Sequence, residues 1–309
     1  MKDKLESWIV NKRGQRLYCK KFEPLTQRPI ARLYFHHGLS EHASRYDKVF
    51  SRMSDSGITV CTYDAHGHGK SDPHEKLERS LVWQFKHLVE DFYEVVDNFE
   101  SREAEILRIL KALVINPPKP VPVFLGGHSM GGLVAAHAAL SPPPHFQWAG
   151  LLLHSPALDV EWNAMLRIQA QLGSVMSTLI PKARIVPAVR PEDMSQDPSV
   201  VQDYLSDPLN TIGNVCARTG NEILTAFRQL GRRSKDLCLP IYIAHGTNDR
   251  CTSFAASSRF LKDVSSSDKT FNDFPGGYHE LLHGPEWRDA TDSMTRWIAK
   301  RSATTMAKL

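Results

Sequence analysis

The feature that most constrains the fold is an alternation of short β-type runs with runs of helical periodicity. The β-type runs are rich in apolar residues, and each of them ends in Gly, His, Asp or Ser. This alternation is typical of a mostly parallel sheet flanked by helices, so an α/β fold is predicted. A hairpin that turns near Arg13 and Gly14 precedes the parallel part. The predicted strands are 31–37, 58–65, 122–128, 149–158, 240–246 and 269–276.

One internal segment breaks this alternation. Residues 159–236 have a helical and loop-like pattern, and strand-type sequence resumes at Pro240. We therefore predict a helical cap inserted between two late strands of a core that comprises residues 1–158 and 237–309. The segment contains five prolines, Pro181, Pro187, Pro191, Pro198 and Pro208.

Composition excludes several classes of protein. Of the 309 residues, 23% are charged and 41% are hydrophobic, which is ordinary for a globular enzyme. The net charge of +4 is not concentrated in a basic stripe, so no nucleic-acid partner is predicted. The five cysteines are scattered and form no C-x-x-C pair, so neither a disulfide framework nor a zinc knuckle is expected.

The sequence also bears on cellular location. It has no N-terminal apolar signal segment and no apolar run near the roughly 18 residues that span a bilayer. Together with the cysteine content, this predicts a cytoplasmic protein in a reducing compartment. The final residues, Ala307-Lys308-Leu309, resemble the S-K-L peroxisomal signal, so peroxisomal targeting is a second hypothesis. A solvated basic tail is the alternative interpretation.

The candidate nucleophile is Ser129. The stretch Gly127-His128-Ser129-Met130-Gly131 is a G-x-S-x-G motif directly after a predicted strand and before a predicted helix. A sharp turn in that context exposes the serine hydroxyl, and the N-terminus of the following helix favours developing negative charge. A chance glycine-rich turn is the alternative.

A serine nucleophile needs a general base and an acid that orients it, and in this fold type they follow in the order Asp, His. Asp249 lies just beyond one predicted strand, and His279 lies just beyond the next. We therefore predict that Asp249 and His279 complete a catalytic triad. The alternatives are a turn-forming role for Asp249 and His283 as the base.

Two backbone N–H groups are predicted to form the oxyanion hole. One belongs to Met130, which follows the nucleophile, and the other to Leu39, in the loop after the strand 31–37. They would bind the substrate carbonyl oxygen as it gains negative charge.

Residues 279–283 also match the zinc-protease string H-E-x-x-H. That motif requires a helix and a third ligand downstream. Here two glycines precede the string, Pro285 follows it, and Glu286 and Asp289 occupy the positions where an extended motif has Gly and His. We therefore predict no metal site and no cofactor, with a zinc protease as the alternative class.

Four motifs together resemble the monoglyceride lipases among the serine esterases of the α/β-hydrolase fold. The similarity extends over almost the whole chain and implies hydrolysis of a fatty-acid glycerol monoester beneath a mobile cap. The matching residues are His37, Gly38, Glu41, His42, Arg45 and Tyr46; Asp64, Gly67, His68, Gly69 and Ser71; Gly127 to Gly132; and Tyr204, Ser206, Asp207, Pro208 and Leu209.

The resemblance also implies a substrate pocket. Residues matching Glu41, Arg45 and Tyr204 line the glycerol end of the pocket in that family. His283 is assigned to the same pocket. The family spacing would place this histidine one residue earlier, at the position that Leu282 occupies here. The alternative for Arg45 is that it only pairs with Glu41.

Several activities share this triad. The leading hypothesis is a monoacylglycerol hydrolase that forms an acyl-enzyme on Ser129. Lysophospholipase, general carboxylesterase, thioesterase and acyltransferase activities remain alternatives, and a binding protein with little turnover is a different class.

The cap contains an apolar stripe within residues 161–180 at three- and four-residue steps, which predicts an amphipathic helix or helix pair. We expect this stripe to contact a membrane or lipid-droplet surface and to gate an acyl tunnel. Packing on the sheet is the alternative. The stripe consists of Trp162, Met165, Leu166, Leu172, Val175, Met176 and Leu179.

Overall fold

A twisted sheet forms the centre of the protein. The computed structural model describes residues 4–113, 120–144, 146–161 and 173–306. The main sheet has eight strands in the order β1-β2-β4-β3-β5-β6-β9-β10. Neighbours from β4 to β10 are parallel, whereas β2 is antiparallel to both β1 and β4. The strands are β1 (Lys4–Val10), β2 (Arg16–Phe22), β3 (Ala31–His36), β4 (Ile58–Tyr63), β5 (Val123–His128), β6 (Gly150–His154), β9 (Ile241–Gly246) and β10 (Lys269–Phe274).

Helices cover both faces of this sheet, because its central strands are apolar on both sides. Every residue of β3, β4, β6 and β9 is buried. One buried cluster includes residues of α1 and α7, and the other includes residues of α2, α3, α5 and α6. The predicted α/β fold with a mostly parallel sheet is confirmed. The helices are α1 (Asp47–Asp55), α2 (Phe85–Ala112), α3 (Met130–Ala139), α4 (Pro198–Ser206), α5 (Ala217–Arg233), α6 (Phe254–Asp263) and α7 (Trp287–Met306).

The described part of the segment between β6 and β9 adds no strand to the main sheet. It contains a helical stretch at 173–179, helix α4 and a separate antiparallel pair of β7 (Arg184–Val186) and β8 (Val215–Cys216). Helix α5 follows and packs its apolar face against the core through Ala226, Phe227 and Leu230. The bounds 159–236 for a cap stay a prediction, and residues 162–172 lie outside the described ranges.

Within the described ranges, no helix combines the length and the apolar character needed to cross a bilayer. Residues 307–309 lie outside those ranges, so peroxisomal targeting stays a prediction from sequence.

Candidate active site

Ser129 stands at a strained turn between β5 and α3. Its backbone has φ 53° and ψ −120°, a conformation that non-glycine residues rarely adopt. The turn is possible because its neighbours lack side chains: a Cβ on Gly127 would lie 2.2 Å from Gly131 O, and one on Gly131 would lie 2.0 Å from His36 O. Ser129 is half-buried while the residues on both sides are buried, so it is the accessible residue of the turn.

The loop after β3 lies directly against this turn. A Cβ built on Gly38 would be 3.2 Å from the Cβ of Ser129. The Gly38 N–H is already occupied, because it donates to Glu41 Oε1 at 2.5 Å. The N–H that follows it in the loop is that of Leu39. Met130 is the first residue of α3, and its N–H therefore has no acceptor within the helix. Both predicted oxyanion donors are thus in the backbone around Ser129, and their role stays a prediction.

Asp249 and His279 meet beyond the ends of β9 and β10. His279 Nδ1 donates to Asp249 Oδ2 at 2.8 Å. The other carboxylate oxygen, Oδ1, accepts the N–H groups of Cys251 at 2.7 Å and Thr252 at 2.9 Å. Because Nδ1 carries the proton, the neutral His279 ring has a free lone pair on Nε2, which is what a general base requires.

The electrostatics of this pair follow from burial and mutual attraction. Burial disfavours the charged imidazolium, but the nearby carboxylate outweighs it and raises the pKa of His279 above its usual value. Burial also disfavours ionised Asp249, yet the charge of His279 and hydrogen bonds from His245 and His279 hold the Asp249 pKa well below its usual range. Asp249 is therefore ionised, and its charge stabilises the protonated form of His279.

The H-E-x-x-H string lacks the geometry of a zinc motif, since residues 275–286 form turns instead of a helix. Among the described residues, three potential ligand atoms of Asp249, Cys251 and His279 do lie within 4.8 Å of one another. Zinc, however, binds the thiolate form of cysteine. Burial raises the pKa of the Cys251 thiol, and its Sγ donates to Asp193 O at 3.4 Å. This donor set does not suit a metal ion.

A buried ionic cluster lies beside the triad. Arg45 binds Glu41 through Nη1 and lies 3.2 Å from Glu280 Oε2 through Nη2. All three side chains are less than one-tenth exposed. Burial would raise the pKa of each carboxyl, but the Arg45 guanidinium holds both Glu41 and Glu280 below their usual pKa values. The cluster is therefore ionised, with two carboxylates sharing one guanidinium.

The remaining predicted pocket residues border this cluster. The Arg45 guanidinium lies 5.1 Å from the centre of the Tyr204 ring, and His283 Nδ1 lies 2.5 Å from Glu280 Oε2. The structure therefore brings Glu41, Arg45, Tyr204 and His283 to one place. Arg45 pairs with Glu41 but also with Glu280, so its contacts extend beyond the single pair with Glu41 that was the alternative for that residue.

Glu280 is a residue of this site that the sequence interpretation considered only within the zinc string. The signal available in the sequence was its position directly after His279. Its partner Arg45 is 235 positions away, so the contact itself could not be anticipated.

Comparison with known proteins assigns the family. The family described as "Serine aminopeptidase, S33" (Hydrolase_4) matches residues 27–286, which is most of the chain. The chain belongs to this family. As a member of the Hydrolase_4 family with the α/β-hydrolase fold, it is a hydrolase, and the predicted resemblance is confirmed.

Relatives of this Hydrolase_4 member carry lipase names. It is 28% identical over 300 residues to the human protein named "Monoglyceride lipase", covering 96% of this chain and 91% of that protein. It is 29% identical over 263 residues to "Monoacylglycerol lipase" of Mycolicibacterium smegmatis, covering 85% of each. A soluble variant of monoglyceride lipase from Saccharomyces cerevisiae, solved with a substrate analog, matches in structure with TM-score 0.78 and 20% identity over 96% of this chain and 94% of that one. The family match and the two sequence relatives confirm the prediction of an ester hydrolase, and the structural match shows the fold.

Proposed function

We propose that this chain hydrolyses monoacylglycerols to a fatty acid and glycerol. The observation that carries the proposal is the hydrogen-bonded Asp249–His279 pair at the same sheet edge as the strained Ser129 turn, with a polar cluster beside it. A serine with a base and an orienting acid supports acyl transfer. The names of the relatives support a lipid ester as the substrate.

The reaction proceeds through an acyl-enzyme. Ser129 Oγ attacks the ester carbonyl carbon while His279 Nε2 accepts the hydroxyl proton, and Asp249 stabilises the imidazolium. The N–H groups of Leu39 and Met130 bind the oxyanion of the tetrahedral intermediate. The intermediate breaks the ester C–O bond as His279 protonates the departing glycerol oxygen. Water then attacks the acyl-enzyme, with His279 again as base, and releases the fatty acid and free Ser129.

The cluster around Arg45 favours a glycerol ester over a peptide with a free N-terminus as the substrate. A peptidase that acts on a free N-terminus needs an anion for the substrate ammonium group. Here Glu41 and Glu280 both pair with Arg45, which offsets one of their two negative charges, so neither carboxylate is left without a cationic partner. Polar groups of this cluster, together with Tyr204, are suited to hydrogen bonds with glycerol hydroxyls.

A substrate panel tests the proposal. Purified protein should be assayed with monoacylglycerols, lysophospholipids, p-nitrophenyl esters, acyl-CoAs and aminoacyl p-nitroanilides at equal acyl length where applicable. We expect the highest kcat/KM with monoacylglycerols. Faster turnover of aminoacyl anilides would contradict the ester assignment, and faster turnover of lysophospholipids or acyl-CoAs would contradict the choice of ester.

We also propose that the cap segment contacts lipid surfaces. The predicted stripe from Trp162 to Leu172 lies outside the described residues, but its continuation is described. Val175, Leu179 and Ile180 are exposed, with 56%, 71% and 40% of their surface accessible. Three neighbouring exposed apolar side chains support a surface that inserts into a lipid interface, where an insoluble substrate is found.

Replacing Val175 and Leu179 with serine should weaken binding to phosphatidylcholine vesicles by at least about tenfold, since burying one such side chain contributes roughly 1.5–3 kcal/mol. Turnover of monoacylglycerol in those vesicles should fall accordingly, while turnover of a short soluble ester should be unchanged. The matched control replaces Val10 and Leu25, which are 67% and 56% exposed on β1 and in the loop before β3. Equal loss with both substrates, or an equal effect of the control, would contradict lipid contact.

A further inference from the structure

The carboxylate of Asp249 contacts a second imidazole besides that of His279. His245 lies in β9, two residues before the turn that carries Asp249, and its side chain is fully buried. Its Nε2 is 3.0 Å from Asp249 Oδ2, and its Nδ1 is 2.9 Å from the hydroxyl of Ser257 in α6. Neither His245 nor Ser257 has a role in the mechanism described above.

The partners of His245 determine which nitrogen carries the proton. An ionised carboxylate only accepts hydrogen bonds, so the contact with Asp249 requires a hydrogen on Nε2. In the neutral ring, Nδ1 is then an acceptor, and the Ser257 hydroxyl is its donor. Asp249 therefore fixes the tautomer of His245, and the Ser257 hydroxyl, which can donate or accept, supports that tautomer by donating to Nδ1.

One carboxylate oxygen thus serves several donors. Asp249 Oδ2 accepts hydrogen bonds from His279 Nδ1 at 2.8 Å and Thr252 Oγ1 at 2.9 Å. His245 Nε2 lies 3.0 Å from the same oxygen and 3.3 Å from Thr252 Oγ1. The two imidazoles hold this oxygen from strand β9 and from the turn after β10. Rotation of the carboxylate would break both contacts, so its orientation depends on His245 as well as on the backbone donors to Oδ1.

We propose that His245, held by the Ser257 hydroxyl at its Nδ1, is a positioning residue that keeps Asp249 in the orientation in which it aligns His279 for proton transfer. The inference rests on the proposed serine-hydrolase chemistry. His245 acts through Asp249 and does not touch substrate. The array runs from Ser257 through His245 and Asp249 to His279, and it joins α6 to the catalytic turn.

Loss of the His245 donor has two physical consequences. The carboxylate gains rotational freedom, which misaligns His279 in the transition state more than it affects substrate binding. The backbone N–H groups of Cys251 and Thr252 still keep the carboxylate beside His279, and the negative charge on Oδ2 is shared among fewer donors, so its attraction for a protonated His279 increases. The other titratable groups near these rings are Cys251, His128, His154, Glu41 and Glu280.

The test compares His245→Leu with His245→Gln, because the glutamine amide can place an N–H near the position of Nε2. With a short p-nitrophenyl ester, His245→Leu should lower kcat by about 10- to 100-fold, the range typical of small misplacements of reacting groups, with KM within about twofold. The acid limb of kcat/KM should move to higher pH. His245→Gln should restore most of kcat and the wild-type pH profile.

A measurement on the resting protein separates this inference from the proposed function. NMR titration of the His279 ring should show a higher pKa in His245→Leu than in wild type, whether or not any ester is turned over. If wild type turned over no ester, the proposed function would fail, and an unchanged His279 titration would overturn the positioning role independently.

The matched control is His154→Leu, which removes another fully buried imidazole, at the end of the neighbouring strand β6. Neither ring nitrogen of His154 has a hydrogen-bond partner among the described residues. Ser257→Ala provides a milder second variant and should shift kcat and the His279 pKa in the same directions. The proposal would be overturned if His245→Leu and His154→Leu had the same kcat and the same His279 titration. If His245→Leu fails to fold, an unchanged kcat and an unchanged His279 pKa in Ser257→Ala would overturn it.

Discussion

Replacement of Ser129 by alanine is expected to lower kcat by about 10⁴- to 10⁶-fold, because the members of a triad act as a unit and little catalysis survives loss of the nucleophile. Ser129 is a half-buried residue in a strained turn, so removal of its hydroxyl should not leave an enclosed cavity. The melting temperature should therefore change by only a few degrees. The measurements are kcat with a short p-nitrophenyl ester and covalent labelling by a fluorophosphonate.

A matched serine provides the control for this experiment. Ser258 in α6 is also half-buried but lies outside the site, so Ser258→Ala should retain wild-type kcat and full labelling. Labelling of the Ser129→Ala protein by the fluorophosphonate would show that another residue is the nucleophile. A small decrease in kcat, for instance tenfold, would equally contradict the assignment.

The second large effect concerns stability. Arg45→Met is expected to lower the free energy of unfolding by about 3–5 kcal/mol at neutral pH, because it leaves the buried carboxylates of Glu41 and Glu280 without their shared guanidinium. Urea denaturation measures this difference. The methionine retains much of the apolar volume of the arginine stem, so the loss reports mainly on uncompensated charge.

The pH dependence of this loss has a defined sign. In wild type, Arg45 holds the pKa of Glu41 and Glu280 below the unfolded values, so their contribution to stability is present above those values and is lost only as pH falls through the lowered folded pKa. In the Arg45→Met protein, burial raises the same pKa values instead. The carboxyls then become protonated at milder pH, and the difference between the two proteins should be smaller at pH 5 than at pH 7.5.

Two variants test the cause. The double variant Arg45→Met/Glu280→Gln removes one of the stranded charges and should recover part of the loss. Arg52→Met breaks the ion pair with Asp292, in which both side chains are at least one-third exposed, and should leave the urea midpoint nearly unchanged. If Arg45→Met shifted the midpoint no more than Arg52→Met, the buried cluster would not be a source of stability.

The sequence alone determined the fold class and the location of the strands. All six predicted strands appear, with ends within four residues of the predicted limits, and the hairpin turns at Gly14 with φ 77°. These features depend on apolar periodicity and turn chemistry, which act over a few neighbouring residues. The order of Ser129, Asp249 and His279 along the chain was readable for the same reason, since each follows a strand.

Tertiary structure alone decided which distant side chains share a partner. Arg45 and Glu280 are 235 positions apart, and His245 and Asp249 lie close in sequence but meet only because β9 ends in a turn that returns the carboxylate to the strand. Such contacts depend on how the strands are ordered in the sheet and how the loops pack above it. Apolar periodicity predicts that a strand is buried, but it carries no information about which buried polar atoms will face one another at its end.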